Sequence, residues 1–431
     1  PMNILMVTPE LAPFVKIGGL ADVVGALPKA LHRLGHDVRI LCPLYRSVPR
    51  GSDWQEVPNP FFVEMGGGTE FARLWETTLP DNGVVVYFLE YDKYYDRDGP
   101  YAGPWGDHSD NGERFGFLSR AAIDLSRHVG WVPDVFHCHD WTTGLVPVYL
   151  NTRDREGPLG HCASVMTIHN LKFQGIFRPE ILTYAGLPPD VFRVDNLESM
   201  GFLNMMKGGI YNATKITTVS PTYAEEIQGP ERGEGLNHVL KFRAGDLIGV
   251  LNGIDTEMWD PLSDPALPVN YGRDSLDAKA ICKREIQREL GLDVRPDLPL
   301  LVVVSRLYEQ KGVDLLAGML DALMRGMNLQ IAVLGSGEPG IEAAFAAAAE
   351  SHPGRIASRI GYHDGLSRRM YAGGDFFLMP SRFEPCGLSQ MYAMRYGTPP
   401  IVRSTGGLVD TVDPYEEGRG TGTGFRFQDP T

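Results

Sequence analysis

The stretch 380–397 reads PSRFEPCGLSQMYAMRYG and follows directly on the apolar run DFFLM at 375–379. The apolar run predicts a buried strand, and the spacing of apolar residues in LSQMYAMRYG predicts a helix. The loop between them carries the carboxylate of Glu384, together with Cys386 and Gly387. Because the first N–H groups of a helix are unpaired and its dipole is positive there, this loop suits an anionic ligand such as a diphosphate. An ordinary strand–turn–helix unit with a surface glutamate would show the same pattern.

Length and composition predict a globular protein of two domains. The chain has 431 residues, of which 43% are apolar and 22% are charged, and domains commonly hold about 100–200 residues. A stretch at 260–275 that is rich in Pro and Asp separates two series of alternating strands and helices. We therefore assign residues 1–250 to an N-terminal domain and residues 251–431 to a C-terminal domain.

The composition also limits the compartment and the partners. No apolar run reaches the roughly 18 residues of a membrane span, and the start, PMNILMVTPE, lacks the regions of a signal peptide. The net charge of −14 argues against a nucleic-acid surface, although clustered Arg and Lys could still bind phosphate. The five cysteines lack a CxxC pair, which argues against a disulfide framework and a zinc site. We expect a cytoplasmic protein (in the plastid stroma if the source is a plant) without membrane or nucleic-acid partners.

The N-terminal domain begins with a strand, a glycine-containing loop and a helix. The apolar run at 3–8 is followed by Lys16, Gly18 and Gly19, and then by apolar residues at helical spacing. This pattern is typical of a doubly wound sheet, in which a loop at the carboxyl end of a strand binds ligands. The loop does not match GxGxxG, so a dinucleotide site is unsupported, and Lys16 taken alone also fits a solvated loop lysine. Pro28 predicts a kink or a break in the helix.

Three further strands in this half end in polar residues. They are the run VFHCHDW at 135–141, the strand 164–168 followed by His169 and Asn170, and the strand 216–219 followed by Ser220. Because the carboxyl ends of parallel strands lie at one edge of a sheet, these residues predict one wall of a cleft. The histidines of HCH have the spacing of metal ligands, but no further His or Cys set completes four ligands, so we expect no metal there.

The C-terminal half repeats the alternation of strands and helices between residues 277 and 412. This predicts an α/β fold of two doubly wound parallel-sheet domains, whose ligand-binding edges we expect to face each other across a cleft. The chain stops at Thr431, after GRGTGTGFRF and without a closing helix. We therefore expect the C-terminal domain to be truncated at its C-terminal end.

Positive charge gathers at one predicted edge of the C-terminal domain. Arg306 and Lys311 follow an apolar strand, and the same edge carries Gly335, the Glu384 loop and the turn at Gly406. Two fixed cations beside helix N-termini could neutralise a leaving diphosphate, which is the role that a bound magnesium ion otherwise has. We therefore expect neither a metal nor a cofactor.

Six separated motifs together resemble one protein family, in its order and over nearly the whole chain. They are KIGGLADVVGALPKAL at 16–31, HCHDW at 137–141, TIHNLKFQG at 167–175, NGID at 252–255, SRLYEQKG at 305–312 and PSRFEPCGLSQMYAMRYGTPPIVRSTGGLVDTV at 380–412. The resemblance is to bacterial glycogen synthases and plant starch synthases, retaining glucosyltransferases of the GT-B fold. It implies transfer of glucose from ADP-glucose to the non-reducing 4-hydroxyl of an α-1,4-glucan (glycogen or a maltooligosaccharide), with retention of configuration and release of ADP.

The resemblance also implies roles for individual residues. Glu384 would hydrogen-bond the transferred glucose, His169 would stabilise its oxocarbenium-like centre, and Arg306 and Lys311 would hold the leaving diphosphate. Further donor contacts are implied for Lys16, Gly18, Gly19, Asp22, Gly335, Tyr362, Cys386, Gly387, Leu388, Thr405 and Gly406. Tyr362 would lie near the adenine, and Cys386 has no covalent role. Asp140, Asn170 and Asn252 would line the acceptor side of the cleft.

Two other interpretations stay open. A related GT-B glycosyltransferase that uses UDP-glucose, or another acceptor, would share the arrangement of Arg, Lys and Glu. A non-catalytic glucan-binding homologue would have the same fold, although the presence of Lys16, Arg306, Lys311 and Glu384 speaks against it. A phosphorylase would share the two-domain architecture, but the sequence lacks the cofactor-lysine signature of that class.

Overall fold

Two separate sheets organise the chain. The computed structural model describes residues 1–80 and 82–429. The sheets belong to two units, of which the first contains Pro1–Val219 and Ala224–Gly253 and the second contains Ser220–Tyr223 and Ile254–Thr431. The predicted truncation of the C-terminal domain at Thr431 concerns residues outside the described part of the chain.

The strands of the first unit range from 2 to 11 residues in length. In chain order they are β1 (Asn3–Val7), β2 (Asp37–Pro43), β3 (Gln55–Glu56), β4 (Phe61–Met65), β5 (Gly68–Thr78), β6 (Val85–Glu90), β7 (Ala102–Gly103), β8 (Gly106–Asp107), β9 (Val135–His139), β10 (Ala163–Ile168), β11 (Ile176–Phe177), β12 (Glu198–Ser199), β13 (Phe202–Asn204), β14 (Lys215–Thr218) and β15 (Leu247–Gly249). The α-helices before residue 253 are α1 (Gly19–Arg33), α2 (Asp92–Tyr95), α3 (Asn111–Val129), α4 (Leu145–Asn151), α5 (Ile181–Ala185), α6 (Met205–Asn212), α7 (Pro221–Glu226) and α8 (Asn237–Phe242).

The first sheet has the strand order of a doubly wound fold. Parallel strands run in the order β15–β14–β10–β9–β1–β2–β6, and β5, β3 and β4 extend the sheet by antiparallel pairing. Residues 4–7 of β1 are all buried, as expected for a central strand covered on both faces. The order of the strands reverses between β1 and β9, so a ligand site is expected outside the carboxyl ends of these two strands.

Helix α1 runs without interruption through Pro28. Of the two outcomes predicted for this residue, the break is therefore wrong. Pro28 is buried together with Leu20 and Val24. Because Pro28 itself belongs to the buried face, the burial of this apolar face outweighs the loss of one backbone hydrogen bond.

The second sheet is wholly parallel. Its strands are β16 (Leu300–Val304), β17 (Gln330–Gly335), β18 (Ile356–Ile360), β19 (Phe376–Met379), β20 (Pro400–Arg403) and β21 (Phe425–Phe427), and its helices are α9 (Lys279–Leu290), α10 (Val313–Gly326), α11 (Pro339–Ser351), α12 (Asp364–Gly373), α13 (Ser389–Arg395) and α14 (Gly406–Thr411). The strand order is β18–β17–β16–β19–β20–β21, which is the order of a dinucleotide-binding fold. The order reverses between β16 and β19.

The second unit has a hydrophobic core on each face of its sheet. Leu300 and Val302 of β16 belong to one cluster, and Val303 belongs to the other, because successive side chains of a strand point to opposite faces. Helices α9, α12 and α13 contribute to the first cluster, and α10 and α11 contribute to the second. Nowhere in the described part of the chain is a helix long and apolar enough to cross a membrane.

Candidate functional site

The loops after β16 and β19 form the centre of the candidate site in the second unit. The two strands are parallel neighbours, and the strand order reverses between them. Arg306 and Lys311 follow β16, and Glu384 follows β19. The three side chains that the sequence singled out in this half therefore lie on loops at the point where doubly wound sheets bind ligands.

Lys311 and Glu384 form an ion pair at this point. The Lys311 Nζ lies 3.0 and 2.8 Å from the carboxylate oxygens Oε1 and Oε2 of Glu384, and the Ser381 hydroxyl donates to Oε2 at 3.0 Å. The two side chains are only 15% and 7% exposed, so water screens the pair little. The arrangement holds one positive and one negative group side by side, each fixed in place by the other.

Two glycines allow the loops to approach one another. Gly312 has a φ of +67°, and a Cβ there would lie 1.9 Å from the carbonyl oxygen of Pro380. Gly406 has a φ of +47°, and a Cβ there would lie 1.8 Å from the carbonyl oxygen of Glu384. Residues with a side chain rarely adopt such φ values and could not make such contacts. The glycines therefore bring the loops after β16, β19 and β20 together around Glu384.

Arg306 provides a second cation on the loop after β16. Its side chain is exposed, and its Cζ lies 5.7 Å from the centroid of the Tyr308 ring. Within residues 1–80 and 82–429 its guanidinium makes no hydrogen bond or ion pair. Arg306 is thus able to bind an anion without first giving up an internal partner, in contrast to Lys311.

The other predicted donor residues of this unit also stand at the carboxyl ends of its strands. Gly335 ends β17, Tyr362 follows β18, the residues Cys386, Gly387 and Leu388 follow β19, and Thr405 and Gly406 follow β20. Leu388 directly precedes α13, and Thr405 directly precedes α14. Cys386 and Thr405 are buried, whereas Tyr362 is 70% exposed and its hydroxyl lies 3.2 Å from the Asp364 carboxylate.

In the first unit, the Lys16 loop is held by a carboxylate that sequence reasoning missed. The Oε1 of Glu10 accepts hydrogen bonds from the N–H groups of Ile17 and Gly18 at 2.6 and 3.0 Å, and Glu10 is only 4% exposed. Lys16 forms an ion pair with Asp22 of α1 at 2.8 Å. The loop geometry therefore depends on Glu10, for which the only sequence signal is a carboxylate shortly after the first strand.

Asp140 and His169 follow the neighbouring strands β9 and β10 and are joined directly. The Asp140 Oδ1 accepts a hydrogen bond from the backbone N–H of His169 at 2.7 Å. Burial raises the pKa of Asp140 to about 7, against the hydrogen bonds from the N–H groups of His169 and Asn170, and nearby Glu10 raises it further. Burial lowers the pKa of His169 to about 3, so its imidazole is neutral at neutral pH.

The predicted acceptor residues divide into two places. Asn170 directly follows His169, and its Oδ1 accepts a hydrogen bond from the N–H of Lys172 at 3.0 Å, which closes the turn after β10. Asn252 follows β15, which β14 separates from the two strands β10 and β9 that precede His169 and Asp140. The structure thus joins Asn170 to the Asp140 cluster and shows no link between this cluster and Asn252 in the described residues.

No group of three or more His, Cys, Asp or Glu side chains is arranged to hold a metal ion in the part of the chain that the structure describes. The Cys138 thiol is buried and lies 3.9 Å from the carbonyl oxygen of Phe136. The expectation that the protein needs no metal ion, which rests on the two cations Arg306 and Lys311, stays a prediction.

Asp140→Asn is expected to change the pH dependence of stability. The pKa of Asp140 is raised from 3.8 to about 7 in the folded protein, so the folded state binds this proton more tightly than the unfolded chain does. The resulting stabilisation is complete below the unfolded pKa and is lost as the pH rises through the folded pKa. Asparagine does not ionise, so the melting temperature of the variant should rise relative to that of the wild type between about pH 5 and pH 8. The exposed Asp107→Asn is the control, and a pH-independent difference for Asp140→Asn would contradict the expectation.

Comparison with known proteins gives matches over both units. The family described as starch synthase catalytic domain matches residues 3–242, and the family of glycosyl transferases group 1 matches residues 298–428. A glycogen synthase from Geobacter sulfurreducens is 48% identical over 99% of this chain and 85% of its own length. A glycogen synthase from Pseudothermotoga lettingae is 43% identical over 99% of this chain and 88% of its own length.

Solved structures show the same likeness. The catalytic domain of starch synthase IV from Arabidopsis thaliana, bound to ADP and acarbose, is 34% identical and has a TM-score of 0.90, covering 100% of this chain and 89% of its own. A sucrose-phosphate synthase from Thermosynechococcus elongatus is 18% identical with a TM-score of 0.58 and shares the fold alone. The predicted α/β class, with two doubly wound units of the GT-B fold, is confirmed.

Proposed function

Because the chain belongs to the starch and glycogen synthase family of glycosyltransferases, we propose that it transfers glucose from ADP-glucose to the non-reducing 4-hydroxyl of an α-1,4-glucan, with retention of configuration and release of ADP. The observation that carries the proposal is the Lys311–Glu384 pair, with Arg306 on the same loop as Lys311, at the strand reversal of a sheet with dinucleotide-binding order. The ADP and acarbose bound to the Arabidopsis starch synthase IV support an adenine nucleotide and an oligosaccharide as ligands of this chain.

The charges of the second unit fit the electronic demand of this reaction. Cleavage of the bond between the glucose C1 and the diphosphate builds negative charge on the leaving group and positive charge on the sugar. Arg306 and Lys311 stabilise the negative charge on the leaving diphosphate, and the carboxylate of Glu384 accepts hydrogen bonds from the glucose hydroxyls. Fixed groups that match charge as it develops lower the barrier more than groups that must reorient.

The residues of the first unit complete the assignment. Lys16 contacts the donor phosphates, with Asp22 fixing its ammonium group and Gly18 and Gly19 allowing the loop to approach them closely. His169 stabilises the sugar as a neutral imidazole, in accordance with its lowered pKa. Asp140, Asn170 and Asn252 serve the acceptor.

Retention follows if the acceptor hydroxyl attacks from the face that the diphosphate leaves. The departing phosphate then takes the hydroxyl proton, so the chain needs no carboxylate positioned as a nucleophile on the opposite face. The two cations and the backbone N–H groups supply the positive charge, so we propose that activity is independent of divalent metal ions.

Measurement of ADP release tests the proposal. With ADP-glucose and a maltooligosaccharide, we expect ADP in proportion to the α-1,4-linked glucose that NMR finds in the lengthened product, and no loss on addition of EDTA. A β linkage would overturn retention, and faster transfer from UDP-glucose would favour the related glycosyltransferase with another donor. Glucan binding without transfer from either donor would identify a non-catalytic homologue.

A further inference from the structure

A second histidine lies directly behind His169. His139 is the last residue of β9 and is 0% exposed. Its Nδ1 lies 2.9 Å from the Nε2 of His169, which follows the adjacent strand β10. The two strands are parallel, with His139 paired to Thr167, so the pairing of the strands places the two imidazoles next to each other. His139 is not among the residues that the reaction uses in the proposed function.

The other nitrogen of His139 decides the direction of this hydrogen bond. Its Nε2 is buried and has no hydrogen-bond partner among the described residues. A neutral imidazole carries one N–H, on either Nδ1 or Nε2. With the hydrogen on Nε2, a buried N–H donor would have no acceptor. With the hydrogen on Nδ1, the donor is satisfied by His169, and only a lone pair on Nε2 has no partner. Proteins leave buried N–H donors unpaired less often than acceptors, so the second arrangement is favoured.

The neighbouring residues favour a neutral His139. Its ring lies 4.3 Å from that of His137 with an angle of 31° between the ring planes. The His137 Nε2 is hydrogen-bonded to Thr167 Oγ1 at 2.7 Å, and this hydroxyl is hydrogen-bonded to Thr217 Oγ1 at 2.7 Å. Burial lowers the pKa values of His137 and His139, and the proximity of the three rings disfavours a charge on His139 further.

We propose that His139 is a positioning residue for glucosyl transfer. It donates its Nδ1–H to the Nε2 of His169 and holds the His169 imidazole in its Nδ1–H tautomer. The far nitrogen of His169 is then a donor toward an oxygen of the transferred sugar. This inference rests on the proposed function only in that His169 acts on the sugar. The tautomer itself is a property of the protein without substrate.

Nitrogen NMR tests the tautomer directly. In wild-type protein with histidine labelled by ¹⁵N in the ring, long-range proton–nitrogen correlations distinguish the two tautomers, and the signals that disappear in His169→Asn belong to His169. We expect a protonated Nδ1 and an unprotonated Nε2 for His169. A protonated Nε2 would overturn the inference, whether or not the protein transfers glucose.

Kinetics of substituted proteins test the role in the reaction. The amide nitrogen of His139→Asn can stand near the position of Nδ1 and donate to His169, whereas His139→Leu cannot donate. We expect His139→Leu to lower kcat by ~10–100-fold, with KM for ADP-glucose changed less than threefold, and His139→Asn to recover most of the loss. His137→Gln, which can keep a bond to Thr167, is the control and should stay within about twofold of wild type.

Each outcome separates the inference from the proposed function. A folded His139→Leu with wild-type kcat, or a His139→Asn as slow as His139→Leu, would overturn the positioning role. If His139→Leu does not fold, the tautomer in the wild type decides. A wild type that transfers no glucose but shows the Nδ1–H tautomer would contradict the proposed function and leave the hydrogen-bond direction established.

Discussion

Lys311→Met is expected to lower kcat by about 10²–10³-fold, and Glu384→Gln by a similar factor, because each removes a group that acts on charge in the transition state. The Lys311 ammonium lies 2.8 Å from the Glu384 carboxylate. In the proposed reaction the diphosphate competes for this ammonium as it gains charge, and Glu384 holds the sugar. Initial rates of ADP release with saturating ADP-glucose and maltooligosaccharide measure the effect.

The same substitutions are expected to change stability in a different pattern. The side chain of Glu384 is only 7% exposed, so Lys311→Met leaves a poorly solvated carboxylate without its cation. Removal of one partner of a buried ion pair costs about 3–5 kcal/mol. The double variant Lys311→Met/Glu384→Gln removes both charges, so its melting temperature should return toward that of the wild type.

The double variant separates a structural role from a chemical one. If the pair only holds the two loops together, activity returns with stability in the double variant. If both groups act in the reaction, stability returns and activity does not, which is the result we expect. Asp314→Asn is the matched control, since Asp314 pairs with Arg382 at 2.6 Å on the same two segments of chain and is outside the proposed chemistry. Its kcat should stay within about threefold of wild type, whatever its stability.

Those parts of the site that depend on local pattern could be predicted from the sequence. Arg306, Lys311 and Glu384 each follow an apolar run within an alternating series, and such runs become neighbouring parallel strands with their ends at one edge. The contact between Lys311 and Glu384 could not be predicted in this way. The two residues are 73 positions apart, and their distance depends on β19 lying beside β16 instead of beside the preceding strand β18.

The features that sequence reasoning missed depend on partners far away in the chain. The segment Ser220–Tyr223 belongs to the second unit. The Ser220 hydroxyl donates a hydrogen bond to the Pro385 carbonyl oxygen at 2.6 Å, although the two residues are 165 positions apart. The His139–His169 pair depends on the register of β9 against β10. Glu10 is polar and buried, so its partners, and not its own residue type, determine what it does. No periodicity in the sequence reports such contacts.

Gly312→Ala is expected to destabilise the second unit by about 3 kcal/mol or more. Its φ of +67° is unfavourable for alanine, and the added Cβ would lie 1.9 Å from the carbonyl oxygen of Pro380, which is backbone and cannot rotate away. The loop after β16 must then separate from the loop after β19. A loss of this size lowers the melting temperature by roughly 6–12 °C in a domain of 150–250 residues. Calorimetry or circular dichroism measures the change.

Gly318→Ala, the same chemical change at another position, is expected to stabilise the second unit instead of destabilising it. Gly318 lies within α10, six residues after Gly312, is exposed, and has open space where the methyl group of an alanine would lie. Alanine there should stabilise by about 0.5–1 kcal/mol, because glycine loses more conformational freedom when it enters a helix. In Gly312→Ala the shift of the loops also moves the Lys311 ammonium relative to Glu384, so kcat should fall by ~10-fold or more while Gly318→Ala keeps wild-type kcat. Equal melting temperatures for the two alanine variants would show that the approach of the two loops at Gly312 is not what holds the pair in place.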